Sequence, residues 1–560
     1  MSRKFWVGVA VFAAALTATA QERRPQRIDV RHYTIEADVN PRTQALTAKV
    51  QVDFVPQQTA DAAVFELNSA LNVSKVEDGS GHVIGFDRSR ENFTVTLRFP
   101  EPLAKGAPAK AVFYYAGRLT DDEDSPVFGI QFAALHEDSS FLLYPARWFP
   151  VSGYSTNRYT ADLRITVPAG YKVLASGVAR PSQSPGGKLV YSIQDGDKPA
   201  FPGSIAIVQG EPARISSEGV TTNLYFRDAQ KTMAGAYGQE IAKAMVYFTS
   251  VYGLPPVKDL TVVETGDGAA NGYSAPGMIF LSPQGIGKRV NQRLVANQVS
   301  RQWWGTLVSP ATRADIWIVN GLAHYSELLY LEHVNGSSAY ENEAHDVYVD
   351  ALTMNDVPIS QTARLEDYSP EFWSLTASKG AAVIDMLRYV TGQAAFDKIL
   401  KDFPDKYAWS AVRTDDFEKV AETDSGQNLR YFFLQWIESS GAPEFKLEYT
   451  IYRTAKGFRV MGKVAQDLDT FRMPVELKIE TEGNPERKTI DVTGTSTEFL
   501  VDTFGKPKTL ALDPNDRVLR FSDPTRVAVA IRKGEQFAQV SEFNKALEEY
   551  QKALEVSRNS

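Results

Sequence analysis

Apolar and polar residues alternate with a period of two from Arg27 to about Arg214. In the stretch His32 to Val39, Tyr33, Ile35, Ala37 and Val39 share one face. After the turn Asn40-Pro41-Arg42-Thr43, Ala48, Val50, Val52 and Phe54 alternate again, and Phe93, Val95, Leu97 and Phe99 repeat the pattern. Such runs predict half-buried strands. Pro181 to Gly187 reads as a turn-rich hairpin connection and Asp121 to Asp124 as a solvated loop. From about Gly219 the period lengthens to that of a helix, with a long segment from Ala229 to Tyr252 and one strand at Leu260 to Glu264. Strands return from Glu444 to about Phe521, marked by Phe445, Leu447, Tyr449 and Ile451 and later by Val475, Leu477 and Ile479, as in a small β-sandwich. The pattern predicts a multidomain α+β chain: an N-terminal β domain over 21–215, a mainly helical domain over 216–443, a β-sandwich over 444–522 and a helical hairpin over 526–560.

Composition narrows the function classes. The chain has 560 residues, enough for three or four domains and for a core that needs no covalent staples. It has no cysteine, which removes disulfides, thiolate catalysis and Cys-type zinc sites. A formal charge of −8 without a basic stripe argues against a nucleic-acid partner. Residues 1–20 form a separate segment: Arg3 and Lys4 precede an apolar run from Phe5 to Leu16, then Ala18-Thr19-Ala20. This is the pattern of a secretory signal cleaved after Ala20, and too short for a membrane span, so a periplasmic or secreted protein is expected.

The helical region contains the stretch with chemical content, Val290 to Glu327. Leu294, Asn297, Arg301 and Trp304 recur at helical spacing and share a face. A loop with Gly305 and Pro310 follows, and a second helix, expected to start near Asn320, aligns Asn320, Ala323 and Glu327. Two positions four apart and a third 19 residues on is the ligand spacing of a helical zinc peptidase, whose H-E-x-x-H motif supplies two metal ligands and a general base. The five positions here read Asn297-Gln298-Val299-Ser300-Arg301.

The frame around them, Gln302-Trp303-Trp304-Gly305-Thr306-Leu307-Val308, then Trp317 and Gly321-Leu322-Ala323, resembles the zinc aminopeptidases of the aminopeptidase N type, the gluzincins. The resemblance implies a thermolysin-like catalytic-type domain. It puts Asn297, Arg301 and Asn320 at the three metal positions, Gln298 at the general base and Glu327 at an acid behind a metal-binding His. Tyr144-Pro145-Ala146-Arg147-Trp148-Phe149-Pro150 and Asn157-Arg158-Tyr159 are similar to the family's N-terminal domain at the rim of its cleft, although Trp148 and Phe149 are better read as core residues. The segment Asn271 to Pro283 resembles the G-x-M-E-N edge strand, with Ser274 where the amine-binding Glu is expected. Ser378-Lys379-Gly380-Ala381 resembles the Y-x-K-G segment, with Ala377 at its tyrosine. Phe432-Phe433-Leu434-Gln435-Trp436-Ile437 and Gly441-Ala442-Pro443 resemble the close of the catalytic domain.

Every residue that the resemblance assigns to metal, base, amine anchor or oxyanion is therefore exchanged, and no metal or zinc cofactor is expected. An arginine at a metal position stays charged, only donates hydrogen bonds and repels Zn²⁺. The expected arrangement is an Arg301–Glu327 ion pair where the metal stood, with Asn297 and Asn320 accepting through their amide oxygens. The six histidines include His324, His333 and His345 near Glu327, Glu343 and Asp346, but with no i, i+4 His pair, and a polar helix surface accounts for them. Gly534, Phe537, Phe543, Ala546, Tyr550 and Ala553 resemble one tetratricopeptide repeat, which cannot bury its own apolar face. The expectation is an exported pseudo-peptidase that binds peptide or protein through the cleft, with a protein partner or self-association through 526–560. The alternatives are a working aminopeptidase with a rebuilt site and an architectural protein presenting the C-terminal repeat.

Overall fold

The alternating runs at His32–Val39 and Ala48–Phe54 lie in one seven-stranded sheet, while the run around Val95 and Leu97 lies in a separate three-stranded sheet. The computed structural model describes residues 28–559 apart from 121–124, 126–128, 154, 185, 195–197, 367–368 and 540. The export segment 1–20 and the acidic run 121–124 lie outside the described residues.

Strand Ile28–Asn40 pairs antiparallel with Ala45–Pro56 and parallel with Thr160–Val167. Tyr33, Ile35, Ala37 and Val39 all point into the core, as do Ala48, Val50, Val52 and Phe54. One-sided burial of this kind fixes the register, because a slip of one residue would turn the whole apolar set to water. Trp148 and Phe149 are fully buried core residues; the Trp148 indole donates to the Gly203 carbonyl at 2.7 Å.

A five-stranded sheet follows in the order Ala213–Ser217, Val220–Tyr225, Leu260–Glu264, Met278–Leu281 and Gly272–Ala275. The last of these is an antiparallel edge strand. Helix α1 (Ala234–Tyr252) packs on this sheet and starts five residues later than the sequence pattern suggests, after a 3₁₀ turn at Lys231–Met233. Helices α2 (Gln292–Ser300), α3 (Ile316–Asn335) and α4 (Ser337–Leu352) come next. Then follow α5 (Pro370–Trp373), a π-helical turn at Ser374–Lys379, α6 (Gly380–Thr391), α7 (Gln393–Lys406), α8 (Thr414–Ser425) and α9 (Arg430–Phe433).

Two three-stranded sheets account for Lys446 to Leu512, and helices α10 (Asp523–Gln539) and α11 (Phe543–Asn559) close the chain as a hairpin. The chain is thus multidomain α+β, β-rich at its N-terminal end and helical beyond it. Gly534 lets α11 approach: a Cβ there would sit 2.4 Å from the Tyr550 ring. Helix α10 is tied to the body by Arg532, which pairs with Asp350 and reaches Asp346 at 3.5 Å, and by Arg526 to Glu444 at 2.6 Å.

Two expectations about the site helices need correction. Helix α2 ends at Ser300, with Arg301 as its C-cap, so Trp304 is not on that helix; it bridges to Val308 in the following turn. Trp303 and Trp304 are fully buried, and their packing against Tyr252 turns the chain inward. Helix α3 begins at Ile316, not near Asn320, because Asp315 and Thr312 organise a 3₁₀ turn ahead of it (Thr312 Oγ1 to Asp315 at 2.6 Å). Asn320 therefore lies inside a helix that is already regular.

Candidate functional site

Helices α2 and α3 bring the predicted positions together. Asn297 lies on the last turn of α2 and Asn320 on the second turn of α3. Arg301 reaches back over both: its Nε donates to Asn297 Oδ1 at 3.0 Å and its Nη1 to Asn320 Oδ1 at 3.3 Å. The two amides accept through their oxygens, as expected from the sequence. Each amide then passes a hydrogen bond onward: Asn297 Nδ2 donates to Glu327 Oε1 at 2.7 Å and Asn320 Nδ2 to Thr376 Oγ1 at 3.1 Å. Gln298 is buried and donates to Asn297 Oδ1 at 3.1 Å, while its own Oε1 has no partner. The cluster is therefore bonded through two amides and a guanidinium.

The expected Arg301–Glu327 ion pair is not formed. Glu327 is buried and takes Arg293 instead, from one helical turn before Asn297, at 3.0 Å. His324 Nδ1 lies 2.9 Å from the same carboxylate. Arg293 also pairs with Glu343 on α4. Residues 293 and 297 are four apart on α2, and 324 and 327 are three apart on α3, so both pairs face the carboxylate from a neighbouring helix position. Arg301, at the C-cap, is aimed at the amides one turn away and not at Glu327. His324 is no surface residue: its side chain is only 15% exposed. The reading of His324, His333 and His345 as a polar helix surface thus fails at His324, while His333 stacks on Tyr247 at 4.3 Å.

The electrostatics follow from this packing. Burial alone would raise the Glu327 carboxyl, but His324, Arg293 and the Asn297 amide outweigh it and hold the group below the usual carboxylate range. Burial alone would lower the His324 imidazole; the adjacent Glu327 carboxylate overrides it and raises the pKa. Sequence reasoning missed Arg293, His324 and Thr376 as members of the cluster. The signal for Arg293 was its i, i+4 relation to Asn297; Thr376 carried none, since its partner is 56 residues away.

The remaining positions line the same region. Ser274 lies on the edge strand, and its hydroxyl accepts from Gln302 Nε2 at 2.9 Å. Buried Gln302 also donates to the Ala275 carbonyl at 3.0 Å and accepts from the Gly277 N–H at 2.9 Å, which fixes the edge hairpin to the end of α2. Ala377 is buried in the π-helical turn next to Thr376. Arg158 of the N-terminal part donates to the Thr306 carbonyl at 2.8 Å and so joins the two parts beside the site.

Zn²⁺ does not fit this donor set. Zinc takes imidazole, thiolate or carboxylate ligands. Here two neutral amide oxygens already accept from a guanidinium, whose fixed positive charge lies among the three positions. Among the described residues no group of three His, Cys, Asp or Glu side chains is arranged to hold a metal.

Residues 280–436 match the model of the Peptidase family M1 domain. That span includes Asn297, Gln298, Arg301, Asn320, Glu327 and Ala377. Aminopeptidase 2 of Candida albicans (strain SC5314 / ATCC MYA-2876) is 22% identical over 523 residues, covering 86% of this chain and 55% of that protein. The chain spans about a quarter to about half of the length of the curated relatives it matches. Among solved structures, the M1 zinc metallopeptidase from Deinococcus radiodurans is similar with a TM-score of 0.58 at 20% identity, over 73% of this chain and 94% of that one. Legionella pneumophila aminopeptidase A, solved in complex with aspartic acid, gives a TM-score of 0.71 at 14% identity over 92% of this chain and 63% of that one.

Proposed function

We propose that this chain, whose family-model match, relatives and structural neighbours support the M1 peptidase family of the aminopeptidase N type, is a member that has lost hydrolysis and binds peptide or protein without cutting it. The observation that carries this reading is the Arg301 guanidinium, bonded to Asn297 and Asn320 at 3.0 and 3.3 Å. A cation fixed at this place disfavours Zn²⁺, so neither a metal-activated water nor a Lewis acid is available. Gln298 cannot take a proton from water as a carboxylate does, and Ala377 has no side-chain donor for a tetrahedral oxyanion. On this reading the walls of a peptide cleft would be the edge strand Gly272–Ala275, helices α2 and α3, and the N-terminal part joined through Arg158. These suit the holding of an extended chain.

The same reading takes residues 1–20 as an export signal and the α10–α11 hairpin as a tetratricopeptide-like unit able to meet a partner. Among the described residues no helix is long and apolar enough to cross a membrane.

Metal analysis of purified full-length protein beside aminoacyl-arylamide turnover, with and without chelator, tests the proposal. The expected result is substoichiometric zinc and background turnover. Stoichiometric zinc with chelator-sensitive turnover would select a working aminopeptidase, the activity in the names of several relatives. Peptide binding that is lost when the cleft is blocked separates a binding protein from an architectural one.

A further inference from the structure

A second polar cavity, of about 310 Å³, lies between the C-terminal ends of α3 and α6, the start of α4 and the loop 513–520. It shares no residue with the Asn297–Glu327 cluster. Glu332, Tyr340, Asp385, Arg388, Tyr389 and Arg517 line it. Its volume is at the lower end of the range typical of small-molecule sites.

The two arginines are used very differently. Arg388 is fully engaged: Nε donates to Gln393 at 2.7 Å, while Nη1 and Nη2 donate to the Glu332 carboxylate at 2.9 and 3.3 Å. Arg517 is half-buried, yet its guanidinium has no hydrogen-bond or ion-pair partner among the described residues. Its Cζ stands 6.0 Å from the Tyr340 ring centroid, and the Arg388 Cζ stands 5.3 Å from the same ring. The nearby carboxylate, Asp385, is buried and already accepts from the hydroxyls of Tyr340 and Tyr348, the latter at 3.0 Å.

The loop that carries Arg517 is built to hold it. Asp513 Oδ1 accepts from the Arg517 N–H at 2.7 Å, and Oδ2 accepts from Val518 N at 3.2 Å and Arg520 Nε at 3.1 Å. The Leu519 N–H donates to the Met386 sulfur at 3.3 Å. Asp513 and Asp516 both have left-handed backbones, with φ of 46° and 47°, a conformation that non-glycine residues seldom adopt. A strained, internally bonded loop therefore presents a guanidinium that makes no hydrogen bond among the described residues. Asp385 offsets part of its charge, but the planar fork stays free to meet a carboxylate or phosphate in bidentate geometry.

We propose that this cavity is a binding site for a small oxyanion, gripped by the Arg517 fork and backed by the positive charge of Arg388. Carboxylate-bearing and phosphate-bearing molecules share the required chemistry. Glu332, held by Arg388, and Asp385, held by Tyr340 and Tyr348, line the same cavity and limit the site to a compact anionic group.

Calorimetric titration of the full chain with inorganic phosphate, and separately with citrate, at fixed ionic strength in chloride tests this. One of the two anions should bind saturably, at one per chain, and which one identifies the source. Arg517→Met should weaken that binding at least tenfold, and Arg517→Lys, which keeps the charge but loses the fork, several-fold. If Arg517→Met does not fold, Arg517→Lys decides alone. Absence of saturable binding for both anions, or equal binding by wild type and the folded variants, would overturn the proposal.

Discussion

Replacing Glu327 with Ala should cost stability through three broken interactions, and the contribution of each follows from its burial. The carboxylate accepts from Arg293, His324 and Asn297 at 3.0, 2.9 and 2.7 Å. Removing one partner of a buried ion pair typically costs about 3–5 kcal/mol. Arg293 lowers the figure here: its side chain is 43% exposed and it keeps Glu343, so its share is that of a surface pair, roughly 0–1 kcal/mol. His324 and Asn297 are left without an acceptor, at about 1–3 kcal/mol each. The expected loss is about 2–7 kcal/mol, read by urea unfolding. Its pH dependence is a second check. Glu327 titrates below its ordinary 4.5 in the fold, so its contribution is present above pH 4.5 and is lost as pH falls through the folded value. His324 titrates above its ordinary 6.5, so its contribution is present below pH 6.5 and is lost as pH rises through the folded value. The cost of Glu327→Ala should therefore be greatest between pH 4.5 and 6.5 and should shrink in alkali. Glu327→Gln separates the charge from the hydrogen bonds and should lose mainly the pH-dependent part. A loss below about 0.5 kcal/mol, the scale of an ordinary surface change, or a loss that grows steadily toward pH 9, would refute this account.

Lys379 is fully buried with no hydrogen-bond partner for Nζ among the described residues, and burial pulls its pKa from 10.5 down to about 8. The charged form is thus disfavoured in the fold: the cost is full below pH 8 and disappears as pH rises toward 10.5, so Lys379→Met should stabilise the protein at pH 7 by about 1–3 kcal/mol and progressively less in alkali. Thermal unfolding across that range checks it, and destabilisation at pH 7 would show that the ammonium has a role in the fold. Gly321→Ala should destabilise by about 1–3 kcal/mol or more, because its Cβ would lie 2.8 Å from the Gly380 backbone carbon where α3 meets α6. Native-like stability of that variant would mean the two helices can separate freely. Asn297→His with Arg301→His and Asn320→Glu should not restore peptide hydrolysis, since Gln298, Ser274 and Ala377 remain; measurable chelator-sensitive turnover by this triple variant would contradict the assignment of those positions.

Much of the strand content could be read directly from the sequence because a period of two is imposed by burial on one face. Tyr33 to Val39 and Ala48 to Phe54 obey it without exception. Helix ends were less legible. The stop at Ser300 depends on Trp303 and Trp304 packing against Tyr252, some 50 residues away, and no local signal encodes that. In the site, the spacing of Asn297, Arg301 and Asn320 foretold that Arg301 would donate to both amide oxygens. It did not foretell the partner of Glu327. Arg293 and His324 look like ordinary helix-surface charges in sequence, and only the crossing of α2 on α3 makes them the groups that neutralise the buried acid. Gly321 and Gly380 stood out as parts of a familiar frame; their physical reason, a backbone-to-backbone approach, is visible only in three dimensions.

Apart from the Gln298 Oε1, the residues of the cluster bond largely to one another, which bears on how hard a metal site would be to build there. Asn297 Oδ1 receives Arg301 and Gln298, its amide nitrogen serves Glu327, and Asn320 links Arg301 to Thr376. Every hydrogen bond in the chain depends on a neighbour that is itself a replacement or a retained second partner. A single return, such as Arg301→His, removes the donor from the buried Asn320 amide oxygen at about 1–3 kcal/mol, while Asn297 Oδ1 keeps Gln298, and it gains no metal, because two amides and one imidazole are a poor zinc set. A return at Asn297 alone places an imidazole against the Arg301 guanidinium and removes the amide oxygen that accepts from Arg301 and Gln298. Each first step toward a metal site thus loses stability before any ligand set is complete. The arginine-and-amide arrangement is consequently a local optimum of its own.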